Sequence, residues 1–234
     1  MANKKVSQTI KTTIIGTERN TFEIIKEYAE EKSVTGEEVA IIQLYPTVGI
    51  GDLGTMDSTT LHLQNKMKQL GWAKVHMVNL FSQIARRKPL AGDLKAVDKE
   101  NMAYVKNVIS DVGKRGKIVV AWGNSHSTNL VVNETKKELL EFLLSSQSGK
   151  VFQLVADNME AETEGTHILF LGLRYADDEW QLTDYPTKAQ LEKIAAQVQK
   201  RQPKKEDKNQ PEEKKQPKKG KKVEKDVSED NESA

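Results

Sequence analysis

The stretch that most constrains the fold is Val39-Ala40-Ile41-Ile42-Gln43-Leu44. It is an apolar run that stops at Tyr45-Pro46 and opens into a polar loop holding Gly49, Gly51 and Gly54. A short apolar run closed by Pro reads as a strand buried on both faces of a sheet. Two more stretches have this form: Val75 to Phe81, and Lys117 to Trp122 followed by Gly123-Asn124-Ser125-His126. Such strands pair in parallel, take helices on both faces, and bind ligands in the loops leaving their carboxyl ends. With the three side by side, those loops share one rim, and that rim is the candidate site.

The segments between them carry helical spacing. Ser58 or Thr59 can cap a helix with Leu61, Leu63, Met67 and Leu70 that stops at Gly71. Strand, helix and strand over this length make a βαβ unit. Asp98 caps a helix with Met102, Val105, Val108 and Ile109 on one face, and Asn133 to Leu144 and Thr187 to Gln199 read as two more. Phe22, Ile25, Tyr28 and Ala29 predict a helix over 21–32, and Thr12 to Ile15 an edge strand. Val151 to Val155 and His167 to Leu173 predict further strands, separated by an acidic loop over 157–164. The expectation is a three-layer α/β/α sandwich with a central, mainly parallel sheet over residues 12–200, after a flexible segment 1–11.

The chain has no Cys, which excludes disulfides, Cys-ligated zinc, iron–sulfur clusters and a thiol nucleophile. No run approaches the ~18 apolar residues of a membrane helix, and no apolar signal-peptide core follows Met1. A cytoplasmic protein with no membrane partner is expected. Residues 201–234 hold 11 basic and 9 acidic residues, leaving 25 of each sign in residues 1–200. The folded part is neutral, so affinity for DNA or RNA needs a local patch or the tail. That tail nearly lacks aliphatic residues and is expected to be disordered. Its run Lys214 to Lys222 holds six Lys and no acid, as a solubilising segment or as an arm for phosphate backbones.

On the rim, Tyr45 and Pro46 either end the strand or face a ligand, with Thr47 beside them. The loop glycines make neither a dinucleotide fingerprint nor a Walker loop. Asp52 and Asp57 are the loop's carboxylates, candidates for a catalytic base, with a helix cap the other role open to Asp57. His126 is a candidate acid or a surface residue without a task. Asn79, an amide ending an apolar strand, needs partners and either faces a ligand or ties two loops together. Trp122, Gly123 and Asn124 form the matching turn, with the Trp122 indole mostly in the core. Arg86 and Arg87 suit a phosphate or a solvated turn. His62, His76 and His167 read as structural. No His/Asp/Glu spacing recommends a metal, Gly-x-Ser-x-Gly is absent, and no cofactor is expected.

Several motifs occur in order: Leu44-Tyr45-Pro46-Thr47, Asp57-Ser58-Thr59-Thr60, Val78-Asn79-Leu80-Phe81, Glu100-Asn101, Ala121-Trp122-Gly123 and Leu171-Gly172-Leu173. In this series the chain resembles domain-of-unknown-function family 1643 (DUF1643) over roughly Glu38 to Pro186. That family opens its site with Leu-Asn-Pro-Ser and continues with an Asp-Pro-Thr helix start, an Asn-Leu-Phe strand end and an Ala-Trp-Gly turn. Here Tyr45 stands for the Asn, Thr47 for the Ser, and Asp184-Tyr185-Pro186 for the family's closing His-Pro. More distantly the pattern is similar to the uracil-DNA glycosylase superfamily. That similarity implies a first loop that positions water and a late His that steadies a flipped base. Three functions follow as expectations: a nucleic-acid-associated protein with a glycosylase-like base pocket hydrolysing an N-glycosidic bond, a binding module without chemistry, or an enzyme acting on a small nucleotide-like metabolite.

Overall fold

The computed structural model describes residues 7–28, 36–90, 92–94, 96–146, 151–159 and 165–201. The lysine-rich tail from 202, residues 1–6 and most of the acidic loop lie outside them. The first apolar run is strand β3 (Glu37–Gln43), and the other two are β4 (Trp72–Asn79) and β5 (Lys117–Val120). β3 lies between β4 and β5 and is parallel to both, and β6 (Val151–Ala156) extends the parallel set beyond β5. Val39, Ala40, Ile41 and Ile42 are all fully buried, so β3 is covered on both faces as its composition requires.

Period-two alternation divides these residues between the layers. Val39 and Ile41 pack with Leu63 and Met67 of helix α1 (Ser58–Met67) and with Ile168 and Leu171 of α4 (Ile168–Arg174). Ala40 and Ile42 pack against α2 (Lys99–Gly113) and α3 (Leu130–Ser146), with Ile194 and Val198 of α5 (Thr187–Arg201) in the same cluster. The result is the three-layer sandwich. α1 sends the chain from β3 to one neighbour, and α2 returns it across the opposite face to the other. The carboxyl ends of β3 and β5 therefore flank a topological switch point, where open α/β sheets bind ligands.

Three local expectations are corrected. Residues 21–28 form strand β2 (Thr21–Tyr28), not a helix. It pairs antiparallel with β4 and with the edge strand β1 (Ile10–Gly16). Its helical spacing of apolar residues gives way because β2 is covered on both faces and takes Glu23 on one and Lys26 on the other, each supplied with a polar partner. Lys26 Nζ donates to Thr12 Oγ1 at 2.8 Å, and the Glu23 carboxylate meets His76 and Tyr104. Residues 168–174 form α4, not a strand. His167 caps it by accepting the Leu169 N–H at Nδ1, 3.1 Å away. The last strand is instead β7 (Trp180–Asp184), antiparallel to β6. The cap of α1 is Asp57 rather than Ser58 or Thr59, because its Oδ1 accepts the Thr60 N–H at 2.7 Å.

Candidate functional site

Gln43 and Asn79 end β3 and β4 directly opposite each other and lie on the α1/α4 face. They form the floor of a cavity of about 100 Å³. Tyr45, Pro46 and Thr47 wall it on one side. The amino end of α1 brings Asp57, Thr59 and Thr60, and the amino end of α4 brings His167 and Leu169. Two helix N-termini thus meet at one hollow at the carboxyl edge of a parallel sheet, their Thr60 and Leu169 N–H groups capped by Asp57 and His167.

This floor is not closed by the protein itself. Gln43 Nε2, Asn79 Oδ1 and Thr60 Oγ1 are buried and have no hydrogen-bond partner. Buried polar atoms left unpaired cost about 1–3 kcal/mol each, and three of them line this one cavity. Asp57 is held at both oxygens, by the Thr60 N–H and by the Thr47 hydroxyl. Burial lowers the His167 pKa and the nearby Asp57 carboxylate opposes this, so the imidazole is neutral near pH 7. With Nδ1 accepting from Leu169, the proton sits on Nε2, which is left as a donor.

A second hollow, of about 770 Å³, adjoins the other side of Tyr45. Arg19, Arg86, Arg87, Phe81 and Leu94 line it, with carboxylates from Glu18, Asp93 and Asp98. Asp98 caps α2 and also accepts from the Ser82 N–H and hydroxyl, while Asp93 accepts from the Leu90 N–H. Burial raises the pKa of the Tyr45 phenol, the one side chain that lines both hollows.

Of the residues singled out in the sequence, Tyr45, Pro46, Thr47, Asp57 and Asn79 meet at the small cavity, and Arg86 and Arg87 at the large hollow. Asp52 lines neither. Its carboxylate takes the Gly49 N–H at 2.8 Å and Arg86 at 3.0 Å, and these two bonds hold its pKa below the usual carboxylate range. His126 and Asn124 belong to the β5–α3 turn and also line neither hollow. Burial, with Lys88 and Lys136 nearby, pushes the His126 imidazole down in pKa. Trp122 is in the core on the α2/α3 face, edge-on to Tyr185 with ring centroids 6.0 Å apart. Gly123 acts through its neighbour: at φ +63°, it lets His167 approach so closely that a Cβ there would stand 3.0 Å from the His167 Cβ.

Gln43, His167, Leu169 and Arg19 join the two hollows without having been singled out for them. His167 carried a usable signal, since a polar side chain just ahead of a short apolar run can cap a helix. Asp184, set against the family's closing His, pairs with Phe152 at the start of β6 and so lies at the opposite edge of the sheet. A histidine does follow the last parallel strand, and it is His167. Among the described residues, no three His, Asp or Glu side chains converge to hold a metal, and no helix is long and apolar enough to cross a membrane.

The fold and the rim define an open α/β protein with a polar cavity at the carboxyl ends of β3 and β4. The chain belongs to DUF1643, a family of proteins of unknown function whose model matches residues 26–164. No curated protein and no solved structure matches it, and no comparison supports the distant similarity to uracil-DNA glycosylases.

Proposed function

We propose that this chain recognises a single-ring heterocycle with an amide-type edge, of the pyrimidine base class, in the small cavity. The observation that carries this is the unpartnered donor of Gln43 beside the unpartnered acceptor of Asn79, buried side by side on β3 and β4. A pyrimidine presents an acceptor next to a donor along one edge and so meets both atoms at once. Thr60 Oγ1 and the His167 Nε2–H are placed to take a further carbonyl. The volume admits no more than one ring: an apolar cavity of about 150 Å³ holds benzene, and this one, about 100 Å³, is smaller.

The test is calorimetric titration of the full chain with uracil, cytosine, uridine and cytidine, alongside Asn79→Ala. Binding that drops at least about tenfold in the variant, the loss of one or two buried hydrogen bonds, is the expected result. No heat at millimolar ligand would sink the proposal.

A second reading, cleavage of an N-glycosidic bond, draws on Asp57 and His167 lining the same cavity. Asp57 would orient a water, and His167 Nε2–H would donate to the departing base. Asp52 has no part in it, being tied to Arg86. Release of free base from uridine or from uracil-containing DNA measures this, and binding without release identifies a module that recognises but does not cut.

A further inference from the structure

We infer that the larger hollow is the phosphate subsite of the same ligand, with Arg19 and Arg87 as its cations, so that the chain takes a free pyrimidine nucleotide. The inference rests on the base reading of the small cavity and extends it past Tyr45. Tyr45 lines both hollows, the small cavity on the α1/α4 face and the larger one beside Asp98 of α2, so a ligand with its ring against Gln43 and Asn79 would pass Tyr45 at the rim to reach the larger one. A ribose bridges such a wall and delivers a phosphate beyond it.

Two arginines at the second hollow are left without an ion pair among the described residues. Arg86 is paired with Asp52 at 3.0 Å, whereas neither Arg19 nor Arg87 has an ion-pair partner among the described residues. Asp93 and Asp98 are engaged by backbone N–H groups and by Ser82. Glu18, on the exposed turn beside Arg19, is the hollow's remaining carboxylate. Two unpaired guanidinium forks are the side chains best suited to phosphate oxygens.

The backbone fixes these two forks relative to each other and to Tyr45. Ile84 N–H donates to the Arg19 carbonyl at 2.9 Å, and Thr21 N–H donates to the Ser82 carbonyl at 2.8 Å. These bonds pin the β1–β2 turn to the loop that carries Arg87. Ala85 N–H donates to the Pro46 carbonyl at 2.8 Å and pins that loop beside Tyr45. Arg19 lies ahead of residues 26–164, so half of the subsite comes from outside the family-matched segment.

Size and charge favour a free nucleotide over a polynucleotide. A volume of 770 Å³ lies within the roughly 300–1,000 Å³ of small-molecule sites. A nucleic-acid backbone needs several phosphate contacts along a basic track, and residues 1–200 are neutral with two unpaired arginines here.

The experiment titrates the full chain and its Arg19→Gln/Arg87→Gln double variant with uridine, uridine 5′-monophosphate, ribose 5-phosphate and a ten-residue oligothymidylate. Both arginines are exposed, so the variant keeps the fold. The expected result is a monophosphate bound about tenfold or more tightly than uridine, as charge-assisted bonds to phosphate imply. That advantage disappears in the variant while uridine affinity is unchanged. Equal affinity for uridine and its monophosphate overturns the subsite and leaves the base reading intact. Ribose 5-phosphate bound through the arginines, with no response to uridine, supports the subsite and overturns the base reading. Oligothymidylate bound more tightly than the monophosphate overturns the assignment to a free nucleotide.

Discussion

Two polar clusters are buried in this sheet, one closed and one open. The closed one spans β2, β4 and β3. His76 Nδ1 lies 2.5 Å from Glu23 and its Nε2 lies 2.8 Å from Glu38, while Tyr104 donates to the other oxygen of Glu23. Arg115 and Lys74 complete Glu38. The open one, at the carboxyl ends of β3 and β4, leaves Gln43, Asn79 and Thr60 each with an unpartnered buried atom. Both involve β3 and β4, but bonding is satisfied within the protein in one and left open in the other, the opening on which the proposed ligand site rests.

The widest gap between the clusters comes from removing the central imidazole. His76→Ala takes one hydrogen-bond partner from the buried Glu23 carboxylate and is expected to cost about 2–3 kcal/mol in urea unfolding. A loss under about 1 kcal/mol would show that the cluster holds nothing together. Acid probes the same cluster. Arg115 above all, with His76 and Lys74, depresses Glu38 from the ordinary 4.5 to about 2. Its contribution is complete above pH 4.5 and is lost as the pH falls through about 2, worth at most about 3 kcal/mol. Glu38→Gln should flatten that limb of the stability profile.

At the open cluster the largest stability effect is steric. A Cβ at Gly172 would stand 2.1 Å from His62 on α1. Gly172→Ala should therefore push α4 from α1, cost about 1–3 kcal/mol, and weaken uridine binding with it. Asn79→Leu removes an unpaired acceptor, so stability should change by no more than about 1 kcal/mol while uridine affinity falls at least about tenfold. A large destabilisation there would mean that Asn79 belongs to the architecture. Arg86→Ala ends the series. Its side chain is 71% exposed, so breaking the pair with Asp52 should shift the unfolding midpoint by less than about 1 kcal/mol.

What could be read from the chain divides along the same line. β3 and β5 were legible because strands buried on both faces need unbroken apolar runs, and α2 because Asp98 heads an apolar stripe. β2 was not, since Glu23 and Lys26 become core residues only once His76, Tyr104 and Thr12 arrive from other elements. α4 was ambiguous as a short apolar run, settled by the His167 cap and the contact of Gly172 with α1. The rim itself was visible in Tyr45 to Thr47, Asp57 and Asn79. The other floor amide, Gln43, was hidden inside an apolar strand, and His167 lies 88 residues beyond Asn79 in the sequence.

The β1–β2 hairpin has a consequence for local opening. It adds to the sheet at one edge, and its turn carries Arg19 to the larger hollow. Edge hairpins of this kind exchange their amide protons by local excursions that leave the rest of a domain intact. A phosphate held between Arg19 and Arg87 ties that edge to the loop after β4. Occupancy at a hundred times the dissociation constant would then slow exchange across β1 and β2 by up to about 2.7 kcal/mol. The hairpin would thus report ligand binding from strands whose far ends lie well away from the ligand.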